Sequence, residues 1–83
     1  MNNFYLYIIK CSDDYLYTGI TNIIIKRLKE HRAGMSKITK NRQPIKLAYK
    51  ELFKTRIEAT KKEKEIKGWL RSKKEALINN SLR

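Results

Sequence analysis

The sequence predicts an α+β fold, a three-stranded antiparallel sheet flanked by helices in the order β-β-α-β-α-α. Three observations predict it. Residues 4–10 and 15–20 alternate with a period of two around the polar turn "CSDD". Positions 24, 27, 28 and 31 follow the i, i+3, i+4, i+7 spacing of an amphipathic helix. Finally, "TRIE" (Thr55–Glu58) and "SKKE" (Ser72–Glu75) each carry the capping-box pattern that opens a helix. A small sheet with helices packed around it is the economical way to bury such a set of faces.

The first strand, 4–10, places Phe4, Leu6 and Ile8 on one face and Tyr5, Tyr7 and Ile9 on the other. The return strand, 15–20, places Leu16 and Ile20 on one face and Tyr15, Tyr17 and Gly19 on the other. An odd number of loop residues would give paired numbers an even sum and would set Tyr7 directly across from Tyr17. One face of the hairpin is then aliphatic and the other phenolic. Thr21 and Asn22 are N-cap candidates for a first helix that runs to about Ala33, where "AG" stops it. Its sheet-facing stripe reads Ile24, Arg27, Leu28 and His31. Residues 34–44, "GMSKITKNRQP", have no clear periodicity and predict an exposed basic loop, and "IKLAYKELF", 45–53, predicts the third strand. In the second helix Ala59, Glu63, Ile66 and Leu70 share a stripe, with Glu58 as a capping residue and Trp69 as a core or hinge anchor near Gly68.

A chain of 83 residues is expected to form one domain, 1–83, with a small core. The single cysteine, Cys11, cannot form an internal disulfide and suits a half-buried filler in a reducing compartment. No apolar run approaches a membrane span and the N-terminus lacks signal-peptide order, so a soluble, cytoplasmic protein without membrane association is expected. Charge is the strongest global signal. Twenty Lys and Arg against eight Asp and Glu give +12, and both halves of the chain share the excess. Such a surface attracts polyanions, nucleic acid first.

Two positions are anomalous for their stripes. Arg27 and His31 lie one turn apart on a side that should meet the sheet, where Arg is seldom buried without a partner or ligand. A solvent-reaching Arg head over a packed stem is the plainer alternative. Glu63 is an acid on an otherwise apolar side; it could join a lysine in an ion pair, or hold one divalent cation whose remaining sites are filled by water and phosphate oxygens. Phenols, a guanidinium, an imidazole and a carboxylate are together the parts that phosphodiester hydrolysis needs. The Arg fork neutralises transition-state charge, the carboxylate holds a metal, and Tyr or His activates water.

With these residues in place the sequence resembles the GIY-YIG nuclease superfamily, in its small single-domain bacterial branch. The two tyrosine triplets read "YLY", 5–7, and "YTG", 17–19, with Tyr5 where the family name has Gly. The helix "IIIKRLKEH" is similar to the family's next motif, and "IEATKKEKEIKGWLRSKKEALI" to its C-terminal block. The resemblance implies Tyr7, Tyr17, Arg27, His31 and Glu63 as the catalytic set, with Glu63 as the metal ligand for Mg2+ or Mn2+. It implies Tyr7 as the proposed base or base partner, Tyr17 as the residue holding water or phosphate, and Tyr5 and Tyr15 as wall residues. In the loop, which has Ile38 where relatives place a tyrosine, Lys37, Lys40 and Arg42 are the expected nucleic-acid contacts.

The function expected is therefore a metal-dependent endonuclease that hydrolyses DNA with low sequence specificity, in DNA repair or processing, with any specificity supplied by a protein partner. The alternatives are a non-catalytic basic nucleic-acid-binding module and an adaptor that brings another nuclease to DNA. One chemical condition attaches to the base. An unperturbed phenol, with a pKa near 10, is only about 0.1% ionised at pH 7, so Tyr7 needs the help of Arg27 and a metal, whereas His31 does not.

Overall fold

The structure is a computed structural model describing residues 3–81. Its elements are β1 (Phe4–Lys10), β2 (Leu16–Thr21), α1 (Ile24–Arg32), β3 (Lys46–Phe53), α2 (Arg56–Lys67) and α3 (Arg71–Ser81). The sheet order is β2-β1-β3 and both pairings are antiparallel. This is the α+β arrangement, in the order β-β-α-β-α-α, that the sequence predicts.

Alternation along β1 divides two apolar clusters between the sheet's faces. Leu6, Ile8 and Leu16 pack with Ile66 of α2, joined by Ile20, Tyr49, Phe53, Trp69, Leu77 and Ile78. On the other face Tyr7 and Ile9 pack with Cys11 and Ile45, joined by Tyr17, Leu47, and Ile24 and Leu28 of α1. Helices α2 and α3 thus cover the aliphatic face, while α1 lies over the phenolic one. A bulge between β1 and β3 aims Leu47 correctly. Ile8 pairs with Tyr49 but Ile9 pairs with Leu47, so Ala48 is the extra residue. The shift moves Leu47 onto the phenolic face while Tyr49 stays on the aliphatic one.

The hairpin register differs from the expected one by two residues. Paired numbers have an even sum, but Tyr7 faces Gly19 and Tyr17 faces Ile9, because β2 begins at Leu16 and the loop runs from Cys11 to Tyr15. Parity fixes the face and leaves the offset open; the longer loop decides it. Tyr7 and Tyr17 are diagonal neighbours with ring centroids 6.2 Å apart.

Helix ends follow their chemistry with two exceptions. α1 stops at a Schellman cap, in which Gly34 (φ 77°) donates to His31 O and Met35 donates to Glu30 O. α2 opens on Thr55, whose hydroxyl accepts from Glu58 N–H and donates to the Glu58 carboxylate. At α1, Thr21 instead accepts from the N-cap residue Ile23, and neither Thr21 nor Asn22 is the cap. At α3, the Ser72 box does not form: the helix begins at Arg71, Leu70 O accepts from Lys73 and Lys74, and Glu75 pairs with Arg71. Leu70, placed by the sequence on the α2 stripe, follows the end of that helix and is 79% exposed.

Residues 34–44 are not simply exposed. Ser36 and Thr39 are buried, and the segment is tied to the β1–β2 turn by Ser12 N–H to Arg42 O and by the Arg42–Asp13 ion pair at 3.1 Å. Polar side chains with interior partners produce no hydrophobic period, so the pattern reads as a loop although part of it is core.

Candidate active site

The site is built around Tyr7, on the central strand and almost wholly buried. Opposite it stands Gly19, and a Cβ there would lie 2.6 Å from the Tyr7 hydroxyl and 3.1 Å from the Tyr17 ring. That is closer than carbon and oxygen tolerate, so the glycine of the second triplet makes room for the phenol of the first.

α1 supplies the next two groups. Arg27 Nε–H donates to the Tyr7 hydroxyl at 3.2 Å, and His31 Nε2 lies 3.1 Å from the same oxygen. His31 Nδ1 is 2.8 Å from Thr39 Oγ1, and both residues are fully buried. Arginine can only donate. The Tyr7 oxygen therefore accepts from Arg27, and in the tautomer with the imidazole proton on Nδ1 the phenol donates to His31 Nε2 while Nδ1–H donates to Thr39 Oγ1. Gln43 Nε2 donates to the His31 carbonyl at 2.6 Å, fixing the end of the helix that carries the ring. The Tyr17 ring completes the enclosure, 5.2 Å from His31 centroid to centroid.

Electrostatics set the protonation states. Burial pushes the Tyr7 phenol up to about 12, outweighing the hydrogen bond from Arg27 that pulls it down. Arg27 by itself does not ionise the phenol; the sequence reading asked for Arg27 and a metal together. Burial, and then the neighbouring Arg27 charge, holds His31 below its usual 6.5. The Tyr7 hydrogen bond, together with Glu30, raises Arg27 further above an already high value, with burial opposing. At neutral pH the cluster is a neutral phenol and a neutral imidazole beside a guanidinium.

Glu63 does not touch this cluster. It sits half-buried on α2 and pairs with Lys67 at 3.2 Å, the ion-pair alternative raised by the sequence. Its partner Lys67 joins Lys74, Ile38, Tyr15 and Tyr17 in lining a groove of about 330 Å³ along β2. Among the described residues no group of three His, Cys, Asp or Glu could hold a metal ion. A single half-buried carboxylate fits a cation that brings its own water and phosphate oxygens, and does not fit a closed protein cage. Of the loop residues, Lys37 and Lys40 are exposed, whereas the Arg42 guanidinium lies 4.2 Å over the Tyr15 ring and pairs with Asp13.

Sequence reasoning missed Thr39 and Glu30. Thr39 lies in a stretch with no period, and Glu30, whose carboxylate accepts from Arg27 Nη1 at 2.9 Å, reads as an ordinary helix acid. The i, i+3 spacing from Arg27 was the available signal for Glu30. No helix among the described residues is long and apolar enough to cross a membrane.

Known proteins resemble this chain in sequence and in fold. A family model described as the GIY-YIG catalytic domain matches residues 3–76. The chain is similar to a UPF0213 protein of Staphylococcus saprophyticus, 48% identical over 80 residues that cover 95% of this chain and 98% of the relative. It is also similar to a UPF0213 protein of Staphylococcus aureus, 44% identical over 79 residues covering 94% and 96% of the two chains. The solution NMR structure of a UPF0213 protein from Bacillus halodurans superposes with a TM-score of 0.62 at 38% identity, covering 93% of this chain and 83% of the other.

Proposed function

The chain belongs to the GIY-YIG nuclease superfamily, among its small bacterial UPF0213 members, and from that premise we propose that it is an endonuclease hydrolysing DNA phosphodiester bonds with little sequence preference. The observation that carries the reading is the unbroken line of contacts Arg27–Tyr7–His31–Thr39.

Water is a poor nucleophile until its proton has somewhere to go. A phenol held near 12 is ionised in only about one molecule in 10⁵ at pH 7, so Tyr7 does not wait as a phenolate. It acts as a relay. The Tyr7 oxygen takes the proton of the attacking water as its own proton passes to His31 Nε2, and the imidazolium so formed keeps its Nδ1–H on Thr39. The transfer from Tyr7 to His31 runs between groups within hydrogen-bond reach. Arg27 keeps Nη2 free of Tyr7 and Glu30 and offers it to a non-bridging oxygen, where charge grows as the water adds. Tyr17 orients water or phosphate against this wall. Glu63 would hold Mg2+ or Mn2+, which offsets the negative charge on the leaving oxygen. For that it must exchange Lys67 for the cation; an ion pair this exposed on the lysine side is worth no more than about 1 kcal/mol.

Affinity for DNA comes from the +12 surface, with Lys37, Lys40 and Arg42 as proposed contacts along the loop, and any selectivity comes from a partner. A plasmid-nicking assay with magnesium and with chelator tests the proposal. Nicks that appear only with the metal support it. No nicks with either Mg2+ or Mn2+ would leave a DNA-binding module instead.

A further inference from the structure

Arg27 divides its guanidinium between two neighbours. Nε–H serves Tyr7 at 3.2 Å, and Nη1 serves the Glu30 carboxylate at 2.9 Å; the two side chains are 32% and 28% exposed. The guanidinium is planar. With Nε and Nη1 both held, rotation about the side chain's last bonds is restricted, and Nη2 is the nitrogen that serves neither Tyr7 nor Glu30, with the Tyr17 phenol as a further neighbour of the guanidinium.

A carboxylate at this place is otherwise hard to explain. The chain carries only eight acids against twenty bases, and one of the eight stands at the wall where a phosphate is to bind. There it repels the very group that the rest of the surface attracts. The Glu30 carboxylate does not cap the helix, since α1 has no acid in its first turn and the cap at the other end uses the Glu30 backbone carbonyl. Its only hydrogen bond among the described residues is to Arg27.

We infer that Glu30 is a positioning residue: its carboxylate holds the Arg27 guanidinium so that Nη2 meets the incoming phosphodiester, and its charge weakens the grip on DNA that is not reacting. The inference rests on the nuclease reading for its kinetic consequence and on geometry alone for its structural one. The two parts separate on substitution. Gln keeps an acceptor oxygen and loses the charge; Ala loses both.

Two readouts test it. The first is the Arg27 Nε–H signal in a proton–nitrogen NMR spectrum, identified by its disappearance in Arg27→Lys. It should be present in wild type and in Glu30→Gln, and broadened or lost in Glu30→Ala. The second is cleavage kinetics. Glu30→Ala should lower kcat on the order of 10- to 100-fold with KM unchanged or lower, as expected when a transition-state contact is misplaced. Glu30→Gln should keep kcat within a few-fold and bind DNA more tightly. A wild-type kcat, or an unaltered Arg27 signal, in Glu30→Ala overturns the inference. If the alanine variant does not fold, Glu30→Gln decides: tighter DNA binding with the signal retained supports the inference, and unchanged affinity or a lost signal overturns it. Should the wild-type protein cleave no DNA, the nuclease reading fails while the NMR arm still decides whether Glu30 holds Arg27.

Discussion

Gly19 lies directly across the β1–β2 ladder from Tyr7, and a single methyl group at that position would stand 2.6 Å from the Tyr7 hydroxyl. The clash is with side-chain atoms of Tyr7 and Tyr17, so Gly19→Ala should shift the phenol and leave the strand in place. Overpacking of this kind costs about 1–3 kcal/mol. Since the hydroxyl also carries the contacts to Arg27 and His31, the single-turnover cleavage rate should fall on the order of 10²-fold. Denaturant unfolding and rapid-quench kinetics on the same variant check both figures. An alanine variant with unaltered rate would show that the phenol's position is not critical.

Thr39 accepts from the buried imidazole, and its replacement separates shape from chemistry. Thr39→Val keeps the volume and leaves His31 Nδ1–H unpaired, which should cost about 1–3 kcal/mol in urea unfolding. Thr39→Ser should restore most of it. The valine variant should also cleave more slowly, because nothing then holds the proton on Nδ1 and keeps Nε2 open to Tyr7.

The chain contains one histidine, so the histidine part of its stability profile belongs to His31 alone. Tyr7, Tyr17, Arg27, Glu30 and Thr39 surround the ring or act on it. The folded value lies below 6.5 because burial and Arg27 disfavour the imidazolium. Between the folded value and 6.5 the unfolded chain binds a proton that the folded chain does not, so stability rises with pH there. The contribution of neutral His31 is complete above 6.5 and is lost as the pH falls below it. Denaturation midpoints taken from about pH 7.5 down to about 5.5 should decline in wild type and decline less in His31→Gln. A flat wild-type profile would contradict a buried neutral imidazole.

Metal and phosphate functions should come apart at Glu63. Glu63→Gln should abolish magnesium-dependent cleavage while DNA binding stays the same or tightens slightly, since one negative charge is lost. Binding by both proteins should fall as salt rises, with a log–log slope of roughly −0.7 to −0.9 per neutralised phosphate. Wild-type nicking by the Glu63 variant would move the metal to other ligands.

Much of this fold is legible in the sequence because burial leaves a period. Leu6 and Ile8 against Tyr7 and Ile9 identify β1 and its two faces, and Ile24, Arg27, Leu28 and His31 identify the inward side of α1. Thr55 announces α2 by the same hydrogen bonds it makes in the fold. The rest fails for physical reasons. Parity cannot count loop residues, so Tyr7 meets Gly19 and not Tyr17. Ser72 has the letters of a cap but falls within α3, after Leu70 has already started the helix. Thr39 is buried by its partner His31, eight residues away, and a polar residue satisfied by one distant group leaves no local signature. The site shares that division: the tyrosines, Arg27 and His31 stand out by position and Gly19 as a letter of the second triplet, while Glu30 and Thr39, which contact Arg27 and His31, do not.

The central claim is that Tyr7 relays the proton of the attacking water to His31, and removal of one oxygen atom tests it most directly. Tyr7→Phe keeps the ring in its cluster and deletes only the hydroxyl that joins Arg27 to His31. Single-turnover cleavage of a DNA substrate with magnesium, measured with DNA affinity and thermal stability held in view, should slow on the order of 10²-fold or more while the variant stays folded and binds as wild type does. A folded Tyr7→Phe protein that cleaves at nearly the wild-type rate would contradict the relay and leave the phenolic face as a phosphate-binding wall.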